Sequence, residues 1–164
     1  MFPRMTATNL EGRTFVLPDD FEGATNLIFV AFTEEQQRYV DSWLAGVGDW
    51  RGRFPGLRVY ELPTLPRRLS LFRRTIDGWM RAGIPDRLAR AATITLYLDK
   101  SAFRSALGLS GEGTIYALLV DRAGRVLWRA AGPYSADKGC SLLNALGGAA
   151  GAGEPVAPAL SGRA

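Results

Sequence analysis

An α/β fold with a central mixed sheet flanked by helices is what this sequence predicts, and three observations predict it. Residues 113–132, GTIYALLVDRAGRVLWRAAG, read as two short strands around a tight turn, the first of them apolar on both faces. Residues 26–32, NLIFVAF, are a second nearly unbroken apolar run. Strands covered from both sides carry continuous apolar runs rather than alternating ones, so both belong near the centre of a sheet. Segments of helical periodicity separate and follow these runs, which is the alternation of an α/β domain.

In chain order, residues 5–17 predict an N-terminal β-hairpin, with Glu11-Gly12 at its turn and Thr14-Phe15-Val16 in its second arm. Residues 26–32 follow as a strand. Thr33 is placed to cap the next helix, with Gln36 three residues on completing a capping box. In that helix Gln36, Tyr39, Val40, Trp43 and Leu44 trace one stripe. Pro55-Gly56 breaks the chain before a strand, LRVYEL, that ends at Pro63. Pro66 suits the first turn of a helix over residues 67–82, with Leu69, Phe72, Ile76, Trp79 and Met80 at helical spacing. A helical turn to about residue 91, a strand over 94–98 and a helix over 100–107 come next. The strand pair 113–132, with Asp121-Arg122-Ala123-Gly124 as its turn and the 126–128 arm nearer an edge, leads into a helix over 135–146. The chain thus ends β-β-α. One domain spans residues 1–147, and residues 148–164, rich in Gly, Ala and Pro, predict a disordered tail.

Composition removes many functions. The 164 residues carry 47% apolar and 22% charged residues and a net charge of +4, the balance of a globular domain. No apolar run reaches the roughly 18 residues of a membrane span, and the first dozen residues lack the apolar core of a signal peptide. The expected location is cytoplasmic, with the inner face of a membrane left open. Histidine is absent and Cys140 is the one cysteine. Ser-His and Cys-His pairs are therefore excluded within the chain, as are an internal disulfide and the usual zinc sites. Asp19 and Asp20 lack further acidic neighbours for calcium. Residues 108–113, GLSGEG, lack the Lys and Ser/Thr of a phosphate loop. No metal and no cofactor is expected.

The charge is concentrated. Residues 63–91 hold seven arginines (67, 68, 73, 74, 81, 87 and 90) against Asp77 and Asp86, more excess than the whole chain carries. An Arg-rich helix with an apolar face and a Trp suits an acidic partner or an anionic membrane surface. Arg67, Arg68, Arg73, Arg74 and Arg81 are the candidate partner-binding residues. The plainer reading packs the apolar face on the sheet and pairs Arg73 with Asp77 at i,i+4. Trp43, Trp79 and Trp128 each read as core residues. No nucleic-acid reader motif is present, and aromatics are not interleaved with the arginines. Cys140 shares a helical stripe with Ala136, Leu143 and Leu146, which turns it toward the core as a small hydrophobe. The alternative is a redox thiol that pairs with another molecule, its pKa lowered by Lys138 if exposed.

The order of elements, the junction FVAFTEEQ (29–36) and the terminal β-β-α resemble the redoxin and peroxiredoxin branch of the thioredoxin-like superfamily. Phe2-Pro3, VDSW (40–43), LYLDKSAFRSALGL (96–109) and IYALLVDRAGRVLWRAAGP (115–133) more closely resemble the assembly factors of the mitochondrial ATP synthase. That resemblance spans residues 2–146 and implies a thioredoxin-like chaperone of a membrane-complex subunit. It also implies a degenerate redox site. In peroxiredoxins the junction reads F-T-x-x-C, and here Gln36 stands at the attacking cysteine. Where thioredoxins place a cis-proline, Tyr116 stands. An amide attacks neither peroxide nor a disulfide, so Thr33, Gln36 and Tyr116 form the edge of a former active site. The function implied is non-catalytic binding or assembly of a membrane complex, with a protein partner and peripheral contact with anionic membrane. The competing reading is a single-cysteine redoxin or redox sensor working through Cys140.

Overall fold

The computed structural model describes residues 1–152. Its seven strands form one mixed sheet in the order β2-β1-β5-β4-β3-β6-β7. They are β1 (Met5–Asn9), β2 (Thr14–Leu17), β3 (Thr25–Ala31), β4 (Leu57–Pro66), β5 (Ile94–Leu98), β6 (Tyr116–Asp121) and β7 (Val126–Ala131). The centre, β3, β4 and β5, is parallel; β1 and β6 flank it antiparallel, and β2 and β7 are the edges. Of the two runs expected near the centre, β3 lies in it and β6 is the interior strand beside it. The hairpin of β1 and β2 turns where expected, with Gly12 at φ +85° and the Asn9 carboxamide oxygen accepting from the N–H groups of Glu11 and Arg13.

Six α-helices cover the two faces: α1 (Gln37–Leu44), α2 (Val47–Arg53), α3 (Arg73–Gly83), α4 (Arg87–Ala92), α5 (Lys100–Leu107) and α6 (Ala136–Ala152). On one face Ile28, Val30, Leu62, Leu96 and Leu118 pack with Phe103 and Leu107 of α5 and with Phe2, Phe15 and Phe21 from the N-terminal segment. On the other, Leu27, Phe29, Leu57, Val59 and Leu119 pack under Trp43, Trp50, Leu142 and Leu146 of α1, α2 and α6. Trp43 is the hub of that layer, edge-on to Trp128 and Tyr134 and donating its indole N–H to the Gly132 carbonyl.

Several expectations are corrected. Helix α2 was unforeseen: its buried Val47 and Trp50 stand among Gly46, Gly48 and Gly52, which hide the periodicity. Strand β4 does not stop at Pro63. It pairs with β3 up to Pro63 and with β5 from Thr64 to Pro66, so the prolines fall where it changes partner and at its end. Residues 67–72 form a 3₁₀ segment and the α-helix begins at Arg73. The Thr33 side chain makes no cap hydrogen bond; the Gln36 side chain reaches past it to the Phe32 N–H. The tail boundary at residue 148 falls inside α6, which its alanines carry to Ala152 despite four glycines. The rest of the expected tail lies outside the described residues.

Helix α6 also overturns the burial expected of Cys140, which is exposed. The inward stripe is Gly139, Leu142 and Leu146. Gly139 is there because Tyr134 lies against it: a Cβ would come within 2.6 Å of the Tyr134 hydroxyl. With Gly139 pinned inward, the roughly 100° step per residue turns Cys140 out.

Candidate functional site

Parallel strands and the helices that follow them leave a crevice at the strands' C-terminal ends, where open α/β sheets bind ligands. Here that end gathers the junction after β3, the end of β4, the start of α5 and the loop before β6. Gln36 is buried at its centre and works as a strut. Its carboxamide oxygen accepts from the Phe32 N–H at 2.8 Å, and its Nε2 donates to the Glu112 carbonyl at 2.7 Å. The position holds no thiol and its amide is committed on both sides. Tyr116 is buried too, edge-on to Phe32, its hydroxyl within 3.1 Å of Ser110 Oγ and accepting from the Gly111 N–H at 3.0 Å. Of the three residues expected at the former site's edge, only Thr33 is exposed. With the backbone N–H of Glu35 leading and the Thr33 hydroxyl helping, the Glu35 carboxyl titrates below the usual carboxylate range.

A basic group not anticipated from the sequence borders this end. Lys100 lies 2.5 Å from Glu112 Oε2, and Arg104 Nε lies 3.3 Å from Oε1, close enough to pair but not aligned as a hydrogen bond. Glu112 thus closes the loop with its side chain on α5 and its carbonyl on Gln36. The signal was available: GLSGEG places one acid opposite the Lys100–Arg104 turn of a helix. Beside it, Pro66, Arg67, Arg68, Leu98, Asp99 and Lys100 line an open depression. Arg67 and Arg68 are therefore at the crevice, as well as on the basic stretch.

The remaining arginines divide. Arg73 lies over the Tyr97 ring, 5.1 Å from its centroid, and Asp77 accepts from the Tyr97 hydroxyl at 2.7 Å; they do not form the expected i,i+4 pair. Arg81, expected to meet a partner, donates from Nε to the Leu10 carbonyl at 2.7 Å. Arg90 donates to Glu11 at 2.5 Å and to the carbonyls of Ile84 and Pro85. The hairpin tip thus grips α3 and α4, and Asn9 adds a bond to the Ala91 carbonyl. Arg67, Arg68 and Arg74 are exposed, and so is Arg87, whose Nε lies 3.9 Å from Glu11 Oε2.

The apolar side of α3 does not sit in the core. The sheet beneath it presents Thr6, Thr8, Thr95 and Tyr97, which line a narrow crevice with Arg73 and Asp77. Ile76 and Met80 are half-buried, no residue of α3 is buried, and Trp79, expected in the core, is 72% exposed. The polar sheet face explains it: Asp77 takes the Tyr97 hydroxyl, the Thr95 hydroxyl reaches Met80 Sδ at 3.7 Å, and Ile76 and Met80 are only half covered while Trp79 turns out. On the neighbouring parallel strand, burial pushes the Glu61 carboxyl above its usual range, partly offset by a hydrogen bond from Gln37 Nε2 at 3.0 Å.

Among the described residues no cluster of His, Cys, Asp and Glu is placed to hold a metal ion, and no helix is long and apolar enough to cross a membrane. No protein-family model and no curated protein matches the sequence. Solved structures do match in fold. A hypothetical protein of Sinorhizobium meliloti 1021 is 18% identical over 90% of this chain and 82% of its own, with a TM-score of 0.58. BsSco, of the Sco family of cytochrome c oxidase assembly proteins, is 13% identical over 91% and 93%, with a TM-score of 0.58. A Chlorobium tepidum protein assigned as the thiol:disulfide interchange protein DsbE is 18% identical over 88% and 94%, with a TM-score of 0.52. The fold is thioredoxin-like; at these identities the likeness speaks for the fold alone.

Proposed function

We propose that this chain is a non-catalytic thioredoxin-like binding protein that assists the assembly of a membrane complex, meeting a protein subunit at the crevice bounded by Thr33, Arg67, Arg68 and Lys100. One observation carries the reading: Gln36, which the resemblance to peroxiredoxins sets at the attacking thiol, spends both ends of its amide on the backbone of Phe32 and Glu112. A site so committed recognises rather than reacts. The basic border supplies the recognition, because arginine forks suit the carboxylates of an acidic segment. The ATP synthase as the complex rests on the short motifs at the N-terminus, the junction and the terminal strands. BsSco, a structural neighbour from a family of cytochrome c oxidase assembly proteins, fits the same class of role.

The test is affinity capture of the tagged full chain from membranes of its native host, wild type against Arg67→Glu/Arg68→Glu. Recovery of an identified membrane-complex subunit with wild type, reduced by the double variant and by raised salt, is the expected result. Turnover of peroxide or disulfide by the purified chain, abolished by Cys140→Ser, overturns it in favour of a single-cysteine redoxin.

A further inference from the structure

The exposed side of residues 67–92 reaches the crevice only at Arg67 and Arg68, and it is the most apolar exposed region described. Leu71 is 87% exposed, Phe72 59%, Trp79 72% and Leu88 78%. Leu71 and Phe72 end the 3₁₀ segment that leads into α3, Trp79 lies on α3 and Leu88 on α4. Thr75, Gly78 and Ala82 of α3 are uncharged and also exposed. Arg67, Arg68, Arg74 and Arg87 of the same stretch are exposed as well, Arg87 with its Nε 3.9 Å from Glu11 Oε2. Of the two acids in the stretch, Asp77 is held inward by Tyr97 and Asp86 caps α4 by accepting from the Ala89 N–H.

We infer that this face docks flat on an anionic lipid bilayer, with Leu71, Phe72, Trp79 and Leu88 entering the headgroup boundary and the arginines meeting lipid phosphates. The inference deepens the proposed function, since it gives the membrane orientation from which the crevice would meet its partner. Three features choose lipid. A stretch that exposes arginines together with a Trp, a Phe and leucines has the make-up of an interfacial segment. Four large apolar side chains left exposed within one stretch of 18 residues, 71–88, call for an occupant. A second copy is a poor one, because a two-fold contact apposes the same patch and so brings these arginines against themselves. The unit is fastened from below by Arg81, Arg90 and Tyr97, so the outer groups are free to engage without unfolding the helix.

The test is sedimentation of the full chain with vesicles of equimolar phosphatidylglycerol and phosphatidylcholine, against vesicles of phosphatidylcholine alone. The expected result is binding to the anionic vesicles, with a blue shift of tryptophan emission that Trp79→Phe removes. Arg74→Glu/Arg87→Glu and Leu71→Ser/Trp79→Ser should each weaken binding by on the order of tenfold or more. These side chains are exposed, and unchanged thermal unfolding of the variants verifies that they fold. Equal binding to both vesicle types, binding that the variants leave intact, or no binding at all overturns the inference. A subunit still captured through Arg67 and Arg68 while vesicles fail means the α3–α4 face is not lipid-facing but the proposed function stands. Thiol turnover that Cys140→Ser abolishes removes the proposed function, whatever the vesicles show.

Discussion

The Tyr97 hydroxyl on β5 donates to the Asp77 carboxylate on α3 at 2.7 Å, beneath a helix that buries none of its residues. Burial first, and then the Asp77 bond and charge, hold the Tyr97 hydroxyl protonated well above its usual range, so it stays a donor at any ordinary pH. This bond substitutes for the buried apolar contacts that fasten α1, α2, α5 and α6. Tyr97→Phe should cost about 2 kcal/mol, the value of a hydrogen bond to a charged group. The loss should be local: amide exchange over residues 73–83 rises about 30-fold, while β3 and β6 stay protected. Uniform loss of protection across the sheet would refute the local role.

Gln36 predicts a different pattern. Gln36→Leu keeps the volume but leaves the Phe32 N–H and the Glu112 carbonyl without their partners in a buried place. A cost of about 3 kcal/mol is expected from two unmet groups, read as a shift in the urea midpoint with an unchanged slope. A change below about 1 kcal/mol would mean that water replaces the amide on both sides and that the strut is dispensable.

These two sites mark what was legible in the chain. The continuous apolar runs of β3 and β6 announced the sheet's centre because covering on both faces leaves no room for alternation. The hairpin, β5, α5 and the β-β-α ending carry their own turn and periodicity signals. Trp79 misled because helical spacing reports which residues share a face, not what the face meets; the threonines opposite come from β1 and β5, distant in sequence. Cys140 misled by a single residue step, since the rotation of α6 is set by Tyr134 lying against Gly139. Gln36 was legible as a missing thiol, but its second partner, the Glu112 carbonyl, lies 76 residues away. Arg81 and Arg90 looked like surface charge for the same reason: the hairpin tip they hold lies far back in the chain.

Glu61 gives the pH dependence. Its folded-state pKa is raised by burial above the ordinary value of 4.5, partly offset by Gln37. Burial disfavours the ionised form, so the folded state binds the proton more tightly than the unfolded chain. Its contribution is therefore most favourable below the ordinary value. It falls as pH rises through the window between that value and the raised one, and stays at its lowest above. Glu61→Gln removes this slope while keeping an oxygen for the Gln37 donor. Thermal unfolding between about pH 4 and pH 8 should show the variant gaining on wild type as pH rises. A variant that loses ground at neutral pH would show that the carboxylate is stabilised as an anion.

Neighbouring positions on α6 should respond oppositely to small changes. Cys140 is exposed, so Cys140→Ser should change stability by less than about 0.5 kcal/mol, and the native thiol should react with one equivalent of a thiol reagent without denaturant. Gly139→Ala places a methyl within 2.6 Å of the Tyr134 hydroxyl and 2.8 Å of its ring. Tyr134 cannot yield freely, because its ring is edge-on to Trp43 at 5.3 Å. Overpacking there should cost about 1–3 kcal/mol, even though alanine is the better helix former. Calorimetry of the two variants decides it: a stabilised Gly139→Ala, or a Cys140 that reacts only after unfolding, would mean that α6 is rotated by a residue and that the thiol faces the core after all.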